Sequence, residues 1–537
     1  QRLEVLRGQI LRYDESLTLA ARMGADTGAF RWQRRYSGDE VRLERALDAA
    51  VATAPSLAET RALRQTRQAN RELVALERRA FALALTLAQL VFLLAVIPWA
   101  GMPGTVVLRE DLAWIPSLGA RYSLAMDGIS YLLVLLTSFL GVLAVLVSWR
   151  EIRSRIAAHY ASLLLVQATA MGIFLARDLL LFALFWELQL VPVFFLIAVW
   201  GHEARRRAAF KFFLFSIAGG LLMLLAVIGL YVAHGVATGT YTFALTDLLA
   251  SPTSPFLQGW LFAGFLLGFA VKTPIIPLHI WLPDAHTQAP TAGSLFLAGV
   301  LLKTGSYGLL RFGLPLFPHA AAQAAPLLIV LGLAALIYGA WVCFAQTDVK
   351  RLVAFSSIGH MGLILLGLTV WNEISLQGSV LQMVNHALTT GALFIMVGML
   401  SERTGTRDLT DLGGLWQRIP LFSSFFLLFC LAAAGLPGLN NFVGELLILV
   451  GSFEQHPAAA CIGFAGAVLI LGYILRLVQA TLFGLSGARE DLADLTPREA
   501  AIVAPLAGAV LFLGLAPSPV LDLLREPVQA LLAQWGG

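Results

Sequence analysis

Beyond residue 79 the chain alternates between long apolar runs and short polar stretches rich in arginine. A helix needs roughly 20 apolar residues to cross a bilayer. Thirteen runs qualify, near 80–100, 128–149, 158–177, 178–200, 210–235, 257–273, 291–313, 323–344, 349–370, 375–400, 419–450, 457–485 and 500–517. The pattern predicts an all-α polytopic membrane protein of about 13 transmembrane helices. Two runs are interrupted: 257–273 is followed by Pro274 and Pro277, and 419–450 is cut by Gly435, Pro437 and Gly438. They are the sixth and eleventh spans, five apart and therefore opposite in direction. Paired interruptions in halves of opposite topology point to an inverted repeat with its site near the midplane.

Loop charge orients the spans. Arg150, Arg153 and Arg155 occupy one loop, Arg205, Arg206, Arg207 and Lys211 the next, Lys350 and Arg351 a third, and Arg403, Arg407 and Arg418 a fourth. All fall on one side if every run spans once, which the positive-inside rule makes cytoplasmic. The loop at 236–256 carries only Asp247 and falls outside, as does the C-terminus. Segment 1–79 breaks the pattern, with 26 charged residues against 44 in the remaining 458. It is expected to be a polar helical extension, with the transmembrane domain occupying 80–537. The first apolar run begins too late to be a cleaved signal peptide.

Composition narrows the class. The chain is 58% hydrophobic and 13% charged, with mean hydropathy +0.78, which excludes a soluble globular domain, a disordered protein and a nucleic-acid binder. The net charge of +4 comes mostly from loop arginines and fits the lipid bilayer as partner. Cys343, Cys430 and Cys461 are far apart, which excludes a thiolate iron–sulfur or zinc site within the chain. Of the 37 basic residues only Lys211, Lys272, Lys303 and Lys350 are lysines. Two of these, Lys272 and Lys303, stand in or at apolar helices, where an ammonium, unlike a guanidinium, releases a proton.

An ionisable group in hydrocarbon costs about 2.5–3.5 kcal/mol even on insertion scales, so each one needs a reason. Glu187 lies mid-span, followed by Pro192, which frees the Leu188 carbonyl. Lys272 ends its run just before the Pro274 break, and His279 and His286 follow. Lys303, His360 and His386 are mid-span, and Glu445 follows the second break. A lone buried histidine is ordinarily a packed core residue, and one Glu–Lys pair can simply pin two helices. Six such groups on six spans at similar depth are harder to explain as pins, and point to a proton or ion path. The sequence contains no Walker A motif, no GxGxxG in a strand–helix setting and no bis-histidine haem spacing. Proton movement must therefore be driven by a gradient or by partners.

The stretches LFALFWELQLVPVFFLIAVWGH, AVKTPIIPLHIWLPDAHTQAPTAGS, LLKTGSYGLLRF, FAQTDVKRLVAFSSIGHMG and LPGLNNFVGELLIL resemble the antiporter-like membrane subunits of respiratory complex I. WIPSLGARYSLAMDGIS and the terminal Glu445, in place of lysine, resemble the M-type members. The resemblance covers roughly residues 80–537. It implies two inverted five-helix repeats, each with a broken helix, in a fold of fourteen helices. It also implies proton pumping coupled to NADH oxidation and quinone reduction, in a bacterial inner membrane. NADH, FMN, Fe–S clusters and quinone are then expected on partner subunits, with no cofactor or metal in this chain. The expected partners are other complex I membrane subunits, especially neighbouring antiporter-like ones. Carried over by motif, Glu187 and Lys272 form the ion pair of the first half-channel and Lys303 is the central relay. His360 and His386 continue the axis, and Glu445 is the terminal proton site. The family's first short helix is replaced here by 1–79, where ILRYDESLTLAARMGADTGAFRWQRRY resembles extracytoplasmic helical-bundle sensors, a fused segment. Such a sensor stands outside, whereas the span parity places it inside. The alternatives are a subunit of a multi-subunit cation/proton antiporter, which shares the Lys and Glu motifs, and a membrane signalling receptor.

Overall fold

In a computed structural model of the chain, residues 80–97, 108–251, 253–484 and 492–535 are described, with isolated positions before residue 80. The extension expected over 1–79 lies, apart from those positions, outside the described residues. The chain divides into two compact units, residues 1–88 with 152–161 and residues 89–151 with 162–537. In the first, the rings of Phe81 and Tyr160 lie 5.8 Å apart between centroids. The second contains Glu187, Lys272, Lys303, His360, His386 and Glu445.

Helix α1 (Ala80–Val96) opens the described chain. An antiparallel hairpin follows, β1 (Leu108–Ile115) and β2 (Ala120–Met126). The helices after it are α2 (Gly128–Glu151), α3 (Ile156–Leu175), α4 (Leu179–Trp200), α5 (Arg205–Thr238), α6 (Pro255–Lys272), α7 (Leu282–Gln288) and α8 (Thr291–Leu316). Then come α9 (Pro318–Ala345), α10 (Val349–Val370), α11 (Glu373–Thr404), α12 (Pro420–Ala433), α13 (Asn440–Gln455), α14 (Pro457–Leu482), α15 (Pro497–Leu515) and α16 (Ser518–Trp535). Eleven of these helices are long and apolar enough to cross a membrane, and α1 and α12 are shorter apolar helices. This is a predominantly helical, polytopic architecture.

Three features depart from the sequence reading. The hairpin is absent from it because the segment was read only as a motif. Its turn depends on Gly119 at φ +65°, in the left-handed region where a glycine has no side chain to clash. Arg205, Arg206, Arg207 and Lys211 belong to the first turns of α5 rather than to a loop. After the last span, α16 buries Leu524, Val528 and Leu531, spaced four and three apart, and leaves Asp522 and Arg525 outside, so it is amphipathic.

Helices α8 and α10 are wholly enclosed and α11 nearly so, whereas α5, α14 and α15 face largely outward. Glycines let α9 and α10 approach closely: a side-chain carbon on Gly339 would stand 2.7 Å from Gly359 N, and one on Gly362 2.8 Å from Leu336 N. Both interruptions are present. After α6 the chain turns through 273–281, where Ile275 N donates to Ala270 O (2.9 Å) and Trp281 Nε1 to Val271 O (2.9 Å). Carbonyls freed at membrane depth thus find partners inside the protein. Between α12 and α13, Gly435 (φ +71°) and Gly438 (φ +90°) make the turn, and Leu436 N donates to Leu431 O at 3.1 Å.

Candidate functional site

The first group lies where α4 meets the end of α6. Asp178 caps α4 by accepting from Leu180 N (2.9 Å) and Leu181 N (3.0 Å). The helix is interrupted at Gln189, one residue after the carbonyl that Pro192 frees. Glu187 is half-buried, with Oε1 sealed against Gly220 and without a protein hydrogen-bond partner. Lys272 is 1% exposed. Its ammonium donates to Gln189 Oε1 at 3.0 Å and to the Trp186 carbonyl at 3.4 Å, and stands 3.7 Å over the Trp186 ring. The ion pair expected between Glu187 and Lys272 is therefore not a direct contact. The break in α4 turns Gln189 and the Trp186 carbonyl toward the ammonium, and these occupy its donors. From Lys272 toward Lys303 the polar groups are sparse. The hydroxyls of Thr273 and Ser306 are buried without protein partners, and Gly305 leaves room for Thr273.

The second group is more closely spaced. Lys303 sits between two π-helical turns of α8, Leu297–Leu301 and Leu309–Gly313. Such turns recur at functional sites because they widen the helix locally. The Lys303 ammonium donates to Ala298 O at 2.6 Å and lies 2.5 Å from Nδ1 of His386. The ring centroids of His386 and His360 are 5.5 Å apart. Nδ1 of His360 lies 3.4 Å from Glu445 Oε1, within ion-pair range but not aligned as a hydrogen bond. Lys303, His386 and His360 are at most 1% exposed, and Glu445 is 6% exposed. Helices α8, α11, α10 and α13 thus contribute one group each to a buried line.

Other residues support this line, and the sequence reading did not single them out. Gln382 Nε2 donates to Glu445 Oε1 at 3.3 Å. Asn385 and Asn440 exchange hydrogen bonds across α11 and α13, Nδ2 of each to the carbonyl of the other at 2.7 and 3.1 Å. Lys350, counted above as a loop charge, is 3% exposed and donates to Ala289 O at 2.6 Å. Its signal was its rarity as a lysine, obscured by its place in the first turn of α10. At the N-terminal end of α2, Asp127 accepts from Arg177 at 3.0 Å and from Arg311. Burial works against the Asp127 charge, but Arg311 and Arg177 outweigh it and hold the carboxyl down at about 2.

A family model described as NADH:quinone oxidoreductase/Mrp antiporter, transmembrane, matches residues 176–470. NADH-quinone oxidoreductase subunit M of Pseudomonas aeruginosa is 48% identical over 436 residues, covering 80% of this chain and 86% of that protein. The protein of the same name from Escherichia coli K12 is 45% identical over 433 residues, covering 79% and 85%. Among solved structures, a chain of respiratory complex I from Thermus thermophilus with bound NADH superposes with a TM-score of 0.79 at 33% identity, over 84% of this chain and 95% of that one. These matches, and the line of buried Lys, His and Glu groups within the matched span, lead to one conclusion: the chain belongs to the NADH:quinone oxidoreductase/Mrp antiporter transmembrane family.

Proposed function

We propose that this chain is a proton-translocating membrane subunit of an NADH:quinone oxidoreductase in a bacterial inner membrane. NADH oxidation and quinone reduction take place on partner subunits, which carry the flavin and iron–sulfur groups. Among the described residues, no group of three or more His, Cys, Asp or Glu could hold a metal ion. The observation that carries the proposal is the buried line Lys303–His386–His360–Glu445, with 2.5 Å from ammonium to imidazole, 5.5 Å between ring centroids and 3.4 Å from imidazole to carboxylate.

A charged Lys303 donates its proton to Nδ1 of His386, the proton on Nε2 passes toward His360, and His360 hands on to Glu445. Neutral imidazole accepts on one nitrogen and releases from the other, so one proton crosses each ring without rotation, and the ring regains its starting tautomer before the next. Glu187 and Lys272 act upstream, with Gln189 accepting from the Lys272 ammonium. About thirteen spans include two inverted five-helix repeats, in which α6 with α7 and α12 with α13 are the equivalent broken helices. Residues 1–79 supply no group to proton transfer.

A tag on this chain should bring down an NADH:quinone oxidoreductase, and inverted membrane vesicles should acidify on addition of NADH. Recovery instead of a complex that exchanges Na⁺ for protons without oxidising NADH would favour the antiporter alternative.

A further inference from the structure

One buried charged cluster takes no part in the line above. Lys303, Tyr307 and Arg311 are four residues apart on α8 and so share one face. Tyr307 Oη donates to Phe174 O at 2.6 Å and lies 3.1 Å from Ser130 Oγ. Ser130 N donates to Asp127 Oδ1 at 2.9 Å. Hydrogen-bonding groups therefore run from Tyr307 by Ser130 to Asp127, and Lys303 stands one helical turn from Tyr307 on the same face of α8.

The Asp127 end of that run meets a cavity of about 480 Å³ lined by Arg109, Asp111, Arg121, Asp127, Arg177 and Arg311 among others. Arg109 is 59% exposed at its side chain, so the cavity opens to solvent. The loop after α2 bears Arg150, Arg153 and Arg155 and is cytoplasmic by the positive-inside rule, which puts Asp127 and the cavity on the outer side. Ser130 and Tyr307 are the polar groups that lie between that side and the helical turn bearing Lys303. At this point the structure places two guanidiniums on one carboxylate. Their side chains are 16% and 8% exposed for Arg177 and Arg311, and 5% for Asp127, which leaves one uncompensated positive charge.

We infer that Arg177 and Arg311, held by Asp127, form a fixed positive barrier that closes the outer end of the Lys303 helix to protons, so that a proton on Lys303 leaves only through His386. This inference rests on the proposed pumping role. A guanidinium suits the task because it repels protons and does not release one itself, as an ammonium would. Eight residues at about 1.5 Å rise separate Arg311 from Lys303 by about 12 Å. A unit charge at that distance, with an effective dielectric near 20, changes proton occupancy about ten-fold.

The test is passive. The intact complex is reconstituted in liposomes without NADH or quinone, and the decay of an imposed pH gradient is followed. Arg311→Gln lowers the cluster charge by one unit and should speed the decay about ten-fold. Asp127→Asn breaks the same ion pair but leaves more positive charge, so its liposomes should stay as tight as the parent's. In the Arg311→Gln background, Tyr307→Phe should restore tightness by removing the linking hydroxyl. Tight Arg311→Gln liposomes would overturn the barrier, and so would equal leakage from both single variants, which would mean loss of packing. Should Arg311→Gln not assemble, Arg177→Gln removes the same charge from the more accessible arm, and tight liposomes there would overturn the barrier equally. Failure of NADH-driven pumping in the parent complex would count against the pumping role and leave these passive rates unaffected.

Discussion

The Lys303 ammonium lies 2.5 Å from Nδ1 of His386 and 2.6 Å from the Ala298 carbonyl. With Lys303 protonated, its ammonium only donates, so Nδ1 is the bare nitrogen and the ring proton sits on Nε2, which has no partner in the protein. The lysine therefore faces an acceptor at one end and the π-turn carbonyl at the other, in a helix wholly enclosed by the rest of the unit. Charge on Lys303 has one titratable neighbour in direct contact.

Lys303→Arg keeps the charge and removes the ability to release a proton. It should abolish NADH-driven acidification of inverted vesicles about as fully as Lys303→Ala, with both rates normalised to assembled complex. Near-parental acidification by the arginine variant would make Lys303 a structural cation and end its relay role.

Gln189 is the residue to change at the first group. Gln189→Leu leaves the Lys272 ammonium with the Trp186 carbonyl at 3.4 Å and the Trp186 ring. A hydrogen bond to a charged group is worth about 1.5–3 kcal/mol, so the ammonium's seat at the end of α6 should be weakened by that amount. Pumping should fall as far as with Glu187→Gln while the complex still assembles. If Glu187→Gln is severe and Gln189→Leu is silent, the carboxylate acts on Lys272 without the Gln189 amide.

Much of this was legible from the residues, and the rest was hidden for identifiable reasons. The two interruptions could be read because Pro274, Pro277, Gly435 and Gly438 stand inside otherwise apolar runs. The six titratable groups could be read because charge in hydrocarbon is costly and therefore rare. Register and contact could not. Glu187 and Lys272 are opposite in sign, yet at the break in α4 it is the Gln189 amide oxygen that accepts from the ammonium. The hairpin stayed hidden because Leu108–Ile115 and Ala120–Met126 are short and mixed in polarity beside twenty-residue apolar runs. Lys350 was missed because a first-turn position reads as a loop until the packing around Ala289 is known.

Gly435 should tolerate no side chain. Its φ of +71° costs an ordinary residue about 1–2 kcal/mol, and an added carbon would stand 2.6 Å from Glu445 Oε2. Gly435→Ala should lower the temperature at which the assembled complex is lost and should impair pumping in the survivors. Unchanged values for both would mean that the α12–α13 break is free to rearrange.

Glu445→Gln is the sharpest test of the line's far end. The amide is nearly isosteric with the carboxyl and leaves Gln382 and Gly435 in their present contacts. It removes the negative charge that His360 meets at 3.4 Å. A protonated His360 then has no counter-charge at that distance, and the line has no terminal acceptor. Glu445→Asp keeps a titratable carboxylate with a reach shorter by one methylene. The expected order for protons moved per NADH is therefore Glu, then Asp, then Gln, with the Gln variant near zero and NADH oxidation by the assembled complex measured alongside. Equal pumping by the Gln and parental chains would remove Glu445 from the path. Equal loss in Asp and Gln would show that distance to His360, rather than charge, sets the step.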